Sequence, residues 1–291
     1  INAMQVTPFE NGFGAEISEI RLSATDICEI QTVKKIESAL IKYKVLKFVD
    51  QSFNPCSLAF FAAKFGKPIK DPFIESISPD FSVIEVKREK EETTPIFGGD
   101  WHSDWSFQAE PPKFSFLYGL KVPPRGGRTI FADCVRAYEE LSEEAKKKVC
   151  SLQAIHSARR AYGPFWLFSR DDRSRSMKIS VSNSAERIIS HPTVRFIKES
   201  RKGAIFVNPV YTVGVRGIGR RESRNLIDSL CSHVIREEFR LPVTWSDGNL
   251  LIWDNRTVMH FAEGGYGGYE RIMYRLTVGK ERPICQKYLS I

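Results

Sequence analysis

Ile30, Val33, Ile36 and Leu40 recur three and four positions apart, the period of one face of an α-helix, so the first clear element is an amphipathic helix. Irregular alternation over residues 7–22 predicts a short strand pair around Phe13 to Ile20 before it, and the β-branched run 45–49 predicts a strand after it. Asn54-Pro55 has the form of an N-cap with proline at the first helical position, giving a helix through Ala59, Phe60, Ala63 and Phe65 that stops at Gly66. Short apolar runs at 82–86, 114–118, 129–132 and 204–208, with more at Val243 and Leu250, predict strands, and Pro123-Pro124 with Gly126-Gly127 marks a turn. Residues 135–150 predict a helix, with Ser142-Glu143-Glu144 in the form of a helix start, and 221–239 predict another with Leu226, Leu230, Val234 and Ile235 inward. The last run alternates cleanly: Arg271, Met273, Arg275 and Thr277 share one face, Ile272, Tyr274, Leu276 and Val278 the other. Short strands, with helices gathered at the start, the middle and 221–239, predict a mainly β fold with helical insertions rather than βαβ units. The expected architecture is a sandwich or jelly roll (double-stranded β-helix), built as one domain over residues 4–291.

Composition narrows the function class. With 291 residues, 42% of them hydrophobic and 12% aromatic, the chain can bury a sizeable core and is not disordered. The 43 Lys and Arg outnumber the 35 Asp and Glu for a net charge of +8, which in general terms favours anionic partners. The basic residues nevertheless fall in short groups such as Lys146-Lys147-Lys148 and Arg220-Arg221 beside acidic ones, the pattern of solvated helix faces, so no nucleic-acid partner is expected. No run of about eighteen apolar residues and no secretory leader stands in the sequence, so no membrane is expected and the location predicted is cytoplasmic. Ile1-Asn2-Ala3 ahead of Met4 has the form of a scar left by tag removal. Cys28, Cys56, Cys134, Cys150, Cys231 and Cys285 are scattered without a Cys-x-x-Cys pair and are expected as reduced thiols.

The candidate chemistry centres on residues 99–107, where His102 and Asp104 stand two apart inside an aromatic run. In an extended strand both would point to one face and converge on a divalent metal, with His260 the best candidate for a third ligand of an open two-histidine, one-carboxylate site. A His-x-Asp pair is common by chance, and a solvated or mutually bonded pair on an exposed strand is the competing reading. The charged stretch 87–94 is expected as a loop beside this site and a candidate lid; residues 159–183 form an excursion that either contacts substrate or merely covers surface. Two arginines four apart on one face of the last strand are either site residues or the charged guard of an edge strand. The glycine-rich stretch 264–268 matches no nucleotide-binding fingerprint.

Taken in order, Trp101-His102-Ser103-Asp104, Gly126-Gly127-Arg128-Thr129, Trp253-Asp254-Asn255-Arg256 leading to His260, and then Arg271 and Arg275, resemble the taurine dioxygenase family of iron(II)/2-oxoglutarate oxygenases. That family also contains 2,4-dichlorophenoxyacetate dioxygenase. The resemblance runs from about residue 65 to 282, and the 27 positions from His102 to Thr129 and 11 from His260 to Arg271 match the family's spacing. It implies that His102, Asp104 and His260 bind Fe(II), that Arg271 and Thr129 hold the distal carboxylate of 2-oxoglutarate, and that O2 oxidises a small-molecule substrate with release of succinate and CO2. Trp253 and Asn208, inside family-like strings, are expected as packing and strand-pairing residues.

The departures from the family pattern bear on the substrate. Where the taurine enzyme uses a His, a Tyr and an Asn, this chain has Asp71, Ile74 and Gly98, which makes taurine an unexpected substrate. Arg275 matches the family's sulfonate-binding arginine and implies an anionic substrate, with Asp71 and Gly98 also expected at the substrate. The rival for Arg275 is an internal ion pair with Glu263 or Asp71. A non-catalytic metal-binding jelly-roll protein is the alternative function, although a carboxylate clamp beside an open metal site has no use in it. A homo-oligomer is compatible with the sequence.

Overall fold

The computed structural model describes residues 4–23, 30–168 and 174–285. It is mainly β with helices on the outside. The largest sheet has eight strands, seven of them in the order Gln5–Pro8, Ala15–Ser18, Val45–Phe48, Leu250–Asp254, Pro112–Lys121, Arg271–Lys280, Pro68–Ile69; Ile84–Arg88 also pairs with Arg271–Lys280. Its pairs are antiparallel except for Ala15–Ser18 with Val45–Phe48. A second sheet orders Arg240–Val243, Thr129–Asp133, Val258–Ala262, and a third Thr212–Val215, Gln153–Ser157, Ile188–Pro192. Val194–Ile197 and Lys202–Ile205 form a hairpin.

The two faces of the large sheet bury different partners because strand side chains alternate. Phe114, Phe116 and Tyr118 point to the face covered by the helices Ile30–Tyr43 and Pro55–Ala62, where they pack with Ile36, Leu40, Leu58 and Phe61. Each fully buried Phe contributes about 1.5–3 kcal/mol by removing apolar area from water. On the opposite face Leu117, Leu251, Trp253 and Met273 meet Phe131, Leu241, Val243 and Val258 of the second sheet. The second sheet's outer side, through Ala132 and Met259, is covered by Ile227, Leu230 and Val234 of the helix Arg220–Val234. Met273 therefore fixes the direction of its whole face, and Arg271 and Arg275 are carried with it into the space between the sheets.

Several expected elements stand where the sequence put them. The helix at Pro55–Ala62 opens with a reciprocal capping box between Asn54 and Ser57 and runs into a 3-10 turn closed at Gly66. The 135–150 segment is two helices, Cys134–Glu139 and Glu143–Cys150, because Ser142 caps a new start by accepting from Ala145 N–H. The helix expected to reach 239 ends at Val234 and is followed by a 3-10 turn, Glu237–Phe239. The last strand lies inside the large sheet, flanked on both sides, so the edge-strand reading of its arginines is overturned. His102 does not lie in a strand; one pair of backbone hydrogen bonds ties it to His260, and the chain then turns. The 87–94 segment is held by Glu92, whose buried carboxylate accepts hydrogen bonds from Thr94 Oγ1 and from the amide and hydroxyl of Ser176. It is anchored, and the residues that line the cavity begin after it, at Pro95. Cys56, Cys134, Cys150, Cys231 and Cys285 are free thiols; Cys28 and residues 169–173 of the excursion lie outside the described residues. No helix among the described residues is long and apolar enough to cross a membrane.

Candidate metal centre and active site

Two mutual backbone hydrogen bonds of 2.9 Å, His102 N to His260 O and His260 N to His102 O, set the two histidines side by side with ring centroids 4.3 Å apart. The turn after His102 brings Asp104 beneath them, its Oδ1 3.5 Å from His102 Nε2 and 3.7 Å from His260 Nε2. Ligand atoms of the three residues lie within 4.8 Å of one another, and they are the sole such trio of His, Cys, Asp or Glu among the described residues. The three residues do come together, but through a bridge and a turn rather than from one strand face.

The surroundings orient each donor. His102 Nδ1 lies 2.7 Å from Asp100 O, a contact that places the ring proton on Nδ1 and leaves the Nε2 lone pair toward Asp104 and His260. Burial, then the neighbouring His102, pushes the His260 pKa down to about 3, so that imidazole is neutral and available as a donor. Burial by itself would raise the Asp104 pKa, but Arg275 and the two histidines hold it well below the usual carboxylate range. Asp104 Oδ2 accepts from Ser115 Oγ at 2.6 Å; Asn255 Nδ2 donates to the same Oγ, and Trp253 Nε1 donates to Asn255 Oδ1. Two imidazoles and one carboxylate, with no fourth His, Cys, Asp or Glu grouped with them among the described residues, suit a divalent first-row metal with open positions.

Behind the trio, a recess lined by Val86, Leu117, Thr129, Trp253 and Arg271 joins the main cavity through Phe97, Gly98, His102, Ala262 and Arg275. Arg271 is buried with Nε and Nη2 unpartnered, and that burial lowers its pKa. An unpaired buried guanidinium is costly, and a carboxylate from outside the chain would satisfy it. Thr129 Oγ1 accepts from Trp245 Nε1 at 3.0 Å, so the hydroxyl hydrogen remains available to a ligand. These two groups fit one end of a dicarboxylate, and the metal trio fits the other.

The main cavity measures about 680 Å³ and is walled by Phe97, Trp105, Tyr162, Phe168 and Tyr211 among others, with Arg275 at its floor. Arg275 Nη2 lies 2.6 Å from Asp104 Oδ1, and its guanidinium sits 5.9 Å over the Trp105 ring. Trp105 adopts a left-handed φ of 48°, held because its neighbour Ser106 bonds both His156 Nδ1 and Asn208 Nδ2. Asn208 thus pins a turn rather than pairing strands, while Trp253 packs at 4.7 Å from the His260 ring. Arg275 thus does form an internal ion pair, with Asp104 rather than with Glu263, which is engaged by Arg128 at 2.6 and 2.7 Å. Asp71 stands behind Arg275 in a small recess shared with Trp105, its Oδ1 accepting from Phe73 and Ile74 N–H; burial raises its pKa against the opposing field of Arg275. Gly98 borders both cavities, and a Cβ there would stand 3.5 Å from His102 Cε1. Ser115, Asn255 and Trp245 were not singled out from the sequence as site residues; Asn255 alone lay inside a motif that could have flagged it.

Comparison with known proteins gives the family. Residues 5–277 match the model of a family described as "Taurine catabolism dioxygenase TauD, TfdA family". An alkylsulfatase of Acinetobacter baylyi is 32% identical over 280 residues, covering 96% of this chain and 86% of the relative. An alpha-ketoglutarate-dependent sulfate ester dioxygenase of Pseudomonas putida is 29% identical over 285 residues, covering 97% and 91%. A taurine dioxygenase from Burkholderia xenovorans superposes with a TM-score of 0.80 at 26% identity, covering 98% and 92%. The chain belongs to the TauD/TfdA family of dioxygenases.

Proposed function

We propose that residues 4–291 form one jelly-roll domain that hydroxylates a small organic anion at the expense of 2-oxoglutarate and O2, in the cytoplasm. The observation that carries this reading is that His102 and His260 of the trio line one recess with the orphaned guanidinium of Arg271. His102 and His260 offer Nε2 and Asp104 offers Oδ1 to Fe(II). Arg271 and Thr129 grip the distal carboxylate of 2-oxoglutarate through charge-assisted and hydroxyl hydrogen bonds. Bound Fe(II) with 2-oxoglutarate and O2 supplies the oxidant, one oxygen atom ending in succinate and the other in the hydroxylated product, with release of CO2. Arg275 receives the substrate's anionic group, and Phe97, Tyr162 and Tyr211 keep water from the reacting carbon.

The substrates we favour are sulfate esters and sulfonates with an apolar body. The relatives named alkylsulfatase and sulfate ester dioxygenase support this, as does a largely aromatic cavity floored by one arginine. Gly98 and Ile74, where the taurine enzyme has polar side chains, disfavour taurine. On a sulfate ester, a hydroxyl placed on the carbon bearing the ester oxygen gives a hemiacetal sulfate that expels sulfate and leaves an aldehyde. The test is a screen with Fe(II), ascorbate and 2-oxoglutarate against small sulfate esters, sulfonates and carboxylates. Succinate release stimulated by one of these anions, and abolished in Arg271→Ala, is expected; a panel that leaves succinate release at the unstimulated level overturns the reading.

A further inference from the structure

Outside the proposed site, the chain just after the short helix Arg159–Tyr162 carries an exposed apolar patch. There Phe165, Trp166 and Leu167 stand 89%, 48% and 47% exposed, three consecutive large apolar side chains facing solvent. Such a patch marks a surface that meets an apolar partner. It is not a frayed strand of chain. Trp166 N–H bonds to Gly163 O at 3.2 Å, Leu167 N–H to Arg160 O at 3.3 Å and Phe168 N–H to Ala161 O at 3.1 Å, so the segment is folded back on the helix.

These side chains line an outer compartment of about 540 Å³ that shares Pro95, Arg160, Leu167 and Phe168 with the 680 Å³ cavity above the metal trio. The two spaces adjoin at these four residues, and a row of aromatic rings runs along the inner one, Phe97 to Phe168 at 6.0 Å and Phe168 to Tyr162 at 5.3 Å between ring centroids. The arginines in the outer compartment are occupied. Arg160 Nη1 donates to Pro209 O at 3.1 Å and Thr212 O at 3.2 Å, and the Arg175 guanidinium lies 5.1 Å over the Phe168 ring. The inner end holds Arg275, paired with Asp104, and the outer end sets the exposed Phe165, Trp166 and Leu167 beside the cations of Arg160 and Arg175.

We propose that the outer compartment takes the apolar tail of the substrate, so that Phe165, Trp166 and Leu167 select organic anions by tail length. The occupant is set by adjacency: a molecule anchored by its anionic head at Arg275, with its reacting carbon at the metal trio, can extend a long tail past Leu167 and Phe168, which line both spaces. This inference rests on the proposed function and adds to it a specificity site remote from the reacting atoms. Each methylene that enters the compartment should strengthen binding about three- to four-fold.

The test is a series of n-alkyl sulfates from ethyl to dodecyl, read two ways: kcat/KM from succinate release, and calorimetric affinity without O2 in the presence of metal and 2-oxoglutarate. In the unsubstituted enzyme both quantities should climb with tail length and level off once the tail has passed Phe165. In Phe165→Ala/Trp166→Ala the slope over the longer members should fall toward one-fold per methylene, whereas Ile188→Ala, an exposed apolar control elsewhere, should keep it. Both side chains are exposed, so the double variant removes no core packing. Parallel slopes in enzyme and double variant, or a flat profile in the enzyme itself, overturn the proposal while succinate release still supports the underlying reading. Loss of self-association in the double variant with the slope intact would also overturn it, and would assign the patch to a second copy of the chain. Failure of every member to bind or to release succinate would overturn the proposal, and would overturn the underlying reading only if the sulfonates and carboxylates of the first screen failed as well.

Discussion

Arg256 and Arg271 are both buried, and they are satisfied in opposite ways. Arg256 gives Nε and Nη2 to Asp254 at 2.9 and 2.8 Å and Nη1 to Glu199 and Glu281 at 3.0 and 3.1 Å, so every direction of its fork meets a carboxylate. Arg271 has an aromatic neighbour, Tyr266, and two nitrogens without an acceptor. A saturated buried cation is structural, because removing it strands the charges around it; an unsaturated one stores a cost that only a ligand can relieve. Arg195 shows that unpaired nitrogens alone do not suffice: its Nε and Nη1 are also unpartnered, but its Nη2 holds Glu281, its face stacks on Phe206, and it lies outside the recess that Arg271 lines. Function is marked by an orphaned charge that opens onto a cavity.

The comparison is broken most severely at the metal trio that gives the cavity its chemistry. Asp104→Ala should abolish 2-oxoglutarate turnover and weaken Fe(II) binding by orders of magnitude in an anaerobic titration; iron affinity equal to the parent's would remove Asp104 from the ligand set. Next comes the direct contrast. Arg256→Ala should cost about 3–5 kcal/mol of stability in urea, since it leaves Asp254, Glu199 and Glu281 uncompensated. Arg271→Ala should do the reverse, holding or raising the melting temperature while 2-oxoglutarate affinity falls by about 3–5 kcal/mol in calorimetry. If Arg271→Ala unfolds the protein as readily as Arg256→Ala, the two arginines do not differ in kind.

Acid sharpens the structural side. Burial alone would raise the Glu199 pKa, but Arg256 and Lys113 hold it down at about 2 against an ordinary 4.5. A carboxylate whose folded pKa is depressed contributes stability above its unfolded pKa and loses it as pH falls toward the folded one. Unfolding midpoints should therefore drop between about pH 4.5 and 2, and Glu199→Gln should flatten that window. The smallest effect belongs to Trp245→Phe. It removes the donor that directs the Thr129 hydroxyl, and 2-oxoglutarate affinity should weaken by about 1 kcal/mol with the melting temperature little changed. Equal affinities in Trp245→Phe and the parent would mean that the hydroxyl needs no such guide.

What the sequence could reveal followed from periodicity and from motif order. Alternation in the last strand was enough to put Arg271 and Arg275 on the face of Met273, and only the pairing of that strand decided that this face looks between sheets rather than outward. The trio was legible as residue types, but the bridge that aligns His102 with His260 joins distant parts of the chain and has no local signature. The same holds for Ser115, which is one of several serines until a neighbouring strand brings Asn255 to it. The strands Gln153–Ser157, Ile188–Pro192 and Thr212–Val215 went unpredicted because each is four or five residues long and mixes polar with apolar positions. The inner half of the excursion, 159–168, was left between two readings; burial of Ala161 and Tyr162 beside exposed Phe165 becomes visible only when the chain is folded.

The paired backbone hydrogen bonds between His102 and His260 also govern the order of events in the life of the molecule. His260 follows His102 by 158 residues, so the trio is incomplete until most of the polypeptide has left the ribosome. Since the bridge is made by main-chain atoms, the histidines reach their places without help from a metal, unlike small zinc domains that stay unfolded until loaded. Maturation is then a two-stage affair, folding first and metal acquisition second. A chelator should accordingly remove activity while leaving the unfolding midpoint in urea little changed, and a large fall in that midpoint would show that the metal is needed to hold the histidines in place.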